Sequence, residues 1–154
     1  MRIAVRDTPL MELTLRRYEK PAGLSERELV RKLCLSLGLL NPGDSRDAVV
    51  DVLHVILRAK KAKKELSSED IEKEVAENRK EHKLSMQGIA GSNIRRQLKR
   101  LRNMHLIQKA RNRYKVSEWS PLIEIYEEKL QRFMLANIEM RVKEYCQACD
   151  QRFS

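Results

Sequence analysis

The segment RDAVVDVLHVILRAKKAKK, residues 46–64, constrains the fold more than any other part of the chain. Wound as an α-helix, it spreads Ala48, Val49, Val52, Leu53, Ile56 and Leu57 around much of its circumference. A helix apolar on so many sides has to be surrounded. Its first turns therefore belong at the centre of a core, and the remaining elements must pack around it. Asp44 or Ser45 is expected to cap it, and Lys60 to Lys64 carry its end into solvent.

The surrounding elements read mainly as helices. Ser25 and Glu28 form an S-x-x-E capping box that opens a helix reaching about Leu39. Leu29, Val30, Leu33, Leu35 and Leu37 give it apolar surface, and Gly38 with the NPGD turn at 41–44 ends it. Ser67 or Ser68 starts a third helix, with acidic residues where the helix dipole favours them and a narrow stripe of Ile71 and Val75. Towards the N-terminus, MRIAVR alternates like a short strand. MELTL alternates too, but Thr8 as a cap and Pro9 as a first residue favour a helix that Pro21 and Gly23 terminate. No run of about 18 apolar residues exists, so no membrane span is expected. MRIAVRDTPL lacks an apolar signal core, which points to the cytoplasm.

Charge is distributed unevenly. The chain holds 32 Lys and Arg against 22 Asp and Glu, a net charge of +10. Between Glu81 and Glu118 there is no acidic residue, while that window contains ten Lys and Arg, the whole of the excess. Elsewhere the signs interleave, as they do on an ordinary solvated surface. A polyanionic partner follows. Within the window, NIRRQLKRLRNMHLI at 93–107 is an amphipathic helix: Ile94, Leu98 and Leu101 share one side, and Arg96, Lys99 and Asn103 the other. Gly88 and Gly91 break the chain before it. After it, LIQKA and RYKVS read as two short strands joined by a tight turn at Arg111 and Asn112.

The succession of helix, SSEDIEKEV helix, basic SNIRRQLKRL helix and MHLIQKARNRYKV ribbon resembles the winged helix-turn-helix superfamily of DNA-binding proteins, over residues 44–118. The Gly-Leu-Ile-like step that many such domains carry after the recognition helix is replaced here by Met104, His105, Leu106 and Ile107. The resemblance implies a mainly α fold with a short two-stranded wing, an N-terminal extension over 1–43 and an added C-terminal helix over 119–154. It implies sequence-specific binding of double-stranded DNA by a transcription regulator. The recognition helix, 92–104, would enter the major groove and the wing, 106–117, would touch the backbone. By position, Ser92, Asn93, Arg96, Lys99 and Asn103 would reach base edges, and Arg95, Arg100, Lys109, Arg111, Arg113 and Lys115 would meet phosphates. The alternative is a winged-helix component of a replication or RNA-processing assembly that contacts protein or RNA. Tyr114, on the second strand, is expected to pack against the domain and not to stack on bases.

Ser120 and Pro121 open a long final helix that runs without Gly or Pro to about Cys146. Ile123, Tyr126, Leu130, Phe133, Asn137 and Met140 step by three and four along it, a heptad-like seam. Such a seam needs cover from the N-terminal helices or from a second chain, and a homodimer is the expectation drawn here. Cys146 and Cys149 form a single C-x-x-C, half of a four-ligand zinc set that two subunits together could complete, or a redox pair, or simply small residues near a helix end; no metal site is expected within one chain and no cofactor is implied. Cys34 belongs to an apolar helix. The sequence contains no phosphate-cradling glycine loop, H-E-x-x-H or G-x-S-x-G, and its carboxylates read as surface pairs, so no enzyme activity and no small-molecule ligand are expected. His54 reads as a satisfied core residue.

Overall fold

A computed structural model describes residues 7–154. The strand expected over residues 1–6 lies outside the described residues. The protein is mainly helical: α1 (Glu26–Ser36), α2 (Ala48–Lys61), α3 (Ser68–Glu81) and α4 (Gly91–Asn103) precede an antiparallel hairpin, β1 (Ile107–Ala110) and β2 (Arg113–Val116). The long C-terminal helix follows as α5 (Leu122–Ile125), a wide π-wound segment (Tyr126–Leu135) and α6 (Ala136–Phe153). Among the described residues, no helix is long and apolar enough to cross a membrane.

Helix α2 occupies the centre. Every residue from Ala48 to Ile56 is buried, including Asp51 and His54. Its start at Ala48 lies a few residues later than a cap at Asp44 or Ser45 would place it. Asp47 stands at the N-cap but makes no capping bond. Its carboxylate turns instead to two arginines, as does that of Asp51 one turn further along. Asp51 Oδ1 accepts from Arg27 Nε (3.0 Å) and from Asn78 Nδ2 (2.8 Å). Its Oδ2 accepts from Arg27 (3.0 Å) and Arg79 (2.7 Å). Asp47 accepts from Arg79 at 2.9 Å and from Arg27 at 3.2 Å. Asp51 is 0% exposed and Arg79 2%. These carboxylates therefore form, with Arg27 and Arg79, a buried charge cluster tying α1, α2 and α3, with the half-buried Arg31 at its rim 3.7 Å from Asp47, and not the surface pairs that their spacing suggested. His54 is satisfied as expected, by Glu26 Oε1 at 2.7 Å and Asn78 Nδ2 at 3.1 Å.

The helix over residues 8–20 does not form. This stretch is extended, and it half-buries alternate side chains, Met11 and Leu13 and then Arg16 and Tyr18. Arg16 explains the choice. Its guanidinium donates to Leu35 O (2.9 Å) and Leu40 O (3.1 Å), and its own amide to Ser36 O (2.9 Å), so the segment caps the carbonyl end of α1. Gly38 permits the crossing: its φ is +71°, and a Cβ there would come 2.5 Å from Thr14 Cβ. Ser25 caps α1 as expected, accepting from Glu28 N.

Ser67 and Asp70 form a reciprocal capping box at the start of α3, and both Ile71 and Val75 are fully buried. Arg79 also donates to Ser85 O, which fixes the chain as it leaves α3 for α4. The hairpin pairs Ile107 with Val116 and Lys109 with Tyr114. On its other edge β2 gains a single bridge, with Leu66 and Tyr114 exchanging backbone bonds of 3.0 and 2.8 Å. Between α4 and β1, His105 adopts φ +63°, the left-handed position that glycine favours, while Leu106 N–H reaches Leu101 O at 3.1 Å. The missing glycine is thus replaced in conformation by a histidine, whose ring meets Phe133 edge to face.

The final helix begins at Leu122, after Pro121, and runs past Cys146 to Phe153. Its winding departs from the uniform α-helical spacing of the sequence pattern. Ala136 N–H reaches back five residues to Gln131 O, and the buried positions are Ile125, Leu130 and Met134, spaced by five and four. The seam drawn from uniform three-four steps is accordingly divided. Leu130 lies in this chain's own core, Tyr126 is half-buried, and Ile123, Phe133, Asn137 and Met140 are exposed.

Asp51→Ala should cost about 3–5 kcal/mol in urea unfolding, because it leaves two buried guanidinium groups, Arg27 and Arg79, to share the one remaining carboxylate of Asp47. Acid should weaken the same cluster. Burial pushes Asp47 up, but the bonds from Arg79 and Arg27 outweigh it and hold the carboxyl below its ordinary 3.8. A depressed carboxylate stabilises the fold above its unfolded value and ceases to as pH falls through the folded one. Unfolding free energy should therefore hold down to about pH 4 and decline below it, and the decline should shrink in Asp47→Asn.

Candidate nucleic-acid interface

Helix α4 is built to present one side. Ile94, Gln97, Leu98 and Leu101 are buried, whereas Ser92, Arg95, Arg96, Lys99, Arg102 and Asn103 are exposed. Three aliphatic side chains seat the helix against α2, and the remaining circumference carries amide, hydroxyl and guanidinium groups. None of the ten cations between Lys83 and Lys115 forms an ion pair with a carboxylate among the described residues.

Two of the expected contact residues are committed internally. Asn93 is half-buried: its amide nitrogen donates to Gly88 O, and its Oδ1 accepts from Arg96 (3.0 Å) and Gln97 (3.1 Å). It braces the start of α4. Arg100 is also half-buried, donating to Leu39 O (2.8 Å) and Gln97 Oε1 (2.8 Å), and so ties α4 to the segment after α1. Ser92, Arg96, Lys99 and Asn103 remain outward, as does Arg95 among the phosphate candidates. A cleft of about 470 Å³ opens beside this surface, lined by Asn41, Asp44 and Arg46 on one wall and Ser92, Arg96 and Arg100 on the other.

The hairpin divides its cations by face. Alternation along a strand puts Ile107, Lys109, Tyr114 and Val116 on the core side and Gln108, Ala110, Arg113 and Lys115 on the other. Tyr114 is buried, as expected, and Lys109 at the open end of that face lies with Nζ 5.6 Å from the Tyr114 ring. Lys115 lies over Trp119 at 5.1 Å. Arg111 occupies the turn with φ +57° and is exposed.

Several acidic neighbours come from α3 and could not be seen in the local charge pattern. Glu72 packs against Gly91 at the start of α4, where a carboxylate favours the helix dipole and where a Cβ on Gly91 would come 2.2 Å from its Oε1. Backbone and hydroxyl bonds from Ser67 hold Asp70 below the ordinary carboxylate range, with nearby Lys64 and Arg113 adding to the effect. Asn112 at the tip of the turn donates to Glu69 Oε2 (2.7 Å) and accepts from Ser68 N–H (3.3 Å). The hairpin is therefore tethered to the first turn of α3. Among the described residues, no three His, Cys, Asp or Glu gather where they could hold a metal ion.

Asn112→Ala should cost about 1 kcal/mol and speed amide exchange at the hairpin tip and the first turn of α3, with α4 unaffected. Unchanged exchange there would show that the tether contributes nothing. Comparisons with family models, with curated proteins and with solved structures return no match, so the functional reading stands on this geometry alone.

Proposed function

We propose that the chain is a double-stranded DNA-binding protein of the winged helix-turn-helix type, acting as a transcription regulator and not as an enzyme. In this reading α4 enters the major groove and the hairpin lies along the backbone. The observation that carries it is the outward side of α4: Arg96, Lys99 and Asn103 stand exposed, with neither cation ion-paired to a carboxylate among the described residues, directly opposite Ile94, Leu98 and Leu101. The order of elements supports it too, with α2, a one-residue bridge at Leu66, α3, α4 and then the hairpin.

Each side chain has a role in that arrangement. Arg96 offers the paired donors that suit guanine O6 and N7, and Asn103 the amide that suits adenine N6 and N7. Ser92 and Lys99 complete the base-facing set, while Asn93 is a positioning residue that holds Arg96. Arg95, Arg111, Arg113 and Lys115 meet phosphates; Lys109 and Arg100 contribute less, one drawn towards Tyr114 and the other bonded to Leu39. A homodimer would set two such surfaces on one two-fold-related site. The exposed Phe133, Met140 and Tyr145 on the C-terminal helix favour a second reading, a winged-helix subunit of a larger replication or RNA-processing assembly.

Selection from random duplexes separates the two. A regulator enriches a defined motif, and a chain that retains duplex without enrichment, or prefers structured RNA, belongs to the second class. With about six phosphates neutralised per chain, log K should fall against log salt with a slope near −0.9 for each. Arg96→Ala should remove about 1–3 kcal/mol of base discrimination, whereas Arg111→Ala should weaken all sequences alike. Salt-independent binding would overturn the proposal.

A further inference from the structure

Helix α6 leaves the domain with none of its residues buried. It nonetheless carries an apolar stripe along one side. At α-helical spacing, Ile138, Val142, Tyr145, Cys146, Cys149 and Phe153 fall within an arc of about 100° with no charged residue among them. Val142 is 55% exposed, Tyr145 69% and Phe153 83%, and both cysteines are exposed. An uncovered stripe of this kind is not what a lone helix in water carries. The stripe also continues the face that seats the C-terminal helix on the core: Ile125, Leu130, Met134, Ile138 and Val142 succeed one another at steps of five and four.

We infer that this stripe is the docking surface for a second copy of the same chain, aligned parallel and in register, with Cys149 at its centre. The inference rests on the homodimer part of the reading above and places the seam on residues other than the exposed Ile123, Asn137 and Met140.

The flanking charges identify the occupant. Glu139 and Asp150 border one edge of the stripe, with Lys143 just outside them, and Arg141 and Arg152 border the other; the four bordering charges lie within about 90° of its midline. In a parallel pair the edge of one helix meets the opposite edge of its neighbour, whereas in an antiparallel pair like edges meet. Parallel, in-register docking thus sets Glu139 beside Arg141 of the second copy and Asp150 beside its Arg152, each about 3 Å apart in rise. Antiparallel docking would face acid with acid and base with base. Arg141 now bonds Glu144 on the outer side at 3.1 Å, an exposed pair that can be exchanged at little cost. The surface is complementary to itself in parallel register, and a second copy of this helix supplies both edges in the required order.

Cysteine cross-linking of the full-length chain reads the alignment directly. In parallel register Cys149 faces its counterpart, and diamide, which accepts the two electrons and two protons released, should link them into a covalent dimer. In the antiparallel arrangement that overlaps the whole stripe, Cys149 lies opposite Val142 and the two thiols stand about 10 Å apart along the axis. Cys146→Ser should still cross-link and Cys149→Ser should not. Light scattering should give twice 18.1 kDa for the native chain and the single-chain mass for Val142→Glu, with helix content unchanged because Val142 is exposed. Arg141→Glu should weaken association at least several-fold, and Glu139→Arg in the same chain should restore it. A native chain that is monomeric, a Val142→Glu chain that keeps the dimer mass, or cross-linking through Cys146 alone would each overturn the inference. DNA binding by a monomeric native chain would overturn the seam and leave the DNA reading standing. A cross-linked dimer that ignores DNA would do the reverse.

Discussion

Asp47 and Asp51 stand one turn apart on α2, inside the apolar helix that organises the molecule, and accept bonds from Arg27 of α1 and Arg79 of α3. Four charges removed from water would be ruinous singly, and together they are neutral with every oxygen engaged. Aliphatic packing of the kind that surrounds Val52 and Leu53 tolerates small slides of one helix over another. A carboxylate clasped from two sides by guanidinium groups does not, since a shift of an ångström breaks several directional bonds in a medium where each unmade bond is costly. The cluster is therefore the pin on which three helices are aligned.

From that pin the outer surface is positioned by a short chain of bonds. Arg79, held by both aspartates, reaches Ser85 O and so fixes the path between α3 and α4. Asn93 secures the other end of that path at Gly88, and Arg100 ties α4 to Leu39. The exposed Arg96 and Lys99 thus project from a helix located at its start, its middle and along its buried side. On the hairpin, Leu66 and Asn112 perform the same service from the far edge. Polar groups spent inside the molecule determine where those left outside can point.

Much of this was legible in the sequence, because it is local. The Ser25 and Ser67 caps, the Ile94–Leu98–Leu101 side of α4 and the turn at Arg111 and Asn112 each depend on residues a few positions apart. What escaped depends on partners far along the chain. Thr8 and Pro9 are good helix-opening residues, yet Arg16 bonds to carbonyls beyond residue 34, and that requirement keeps the segment extended. Asp51 does carry a local signal: in VVDVLHV it is flanked by residues that must be buried, as is His54, so both need internal partners. Arg79, within a polar run, gave no comparable sign. The charge window likewise hid Glu69, Asp70 and Glu72, which reach its edges through the fold and not through sequence.

The π-wound segment joins the packed domain to the bare helix beyond it. Each of its turns holds more residues than an α-turn, so a face assigned at uniform spacing loses phase across it. Ile125, Leu130 and Met134 keep to the core only because of that winding, and the same phase delivers Ile138 and Val142 onto the continuation of the core-facing side. Had the helix been α-wound throughout, the residues anchoring it to the domain and the bare stripe beyond would lie on different sides. Their alignment means that a partner covering α6 meets a helix rigidly referenced to the core through Leu130. The separation of two α4 surfaces in a parallel pair is then set by packing, from the charge cluster through the hairpin to the C-terminal helix, with no flexible linker between them.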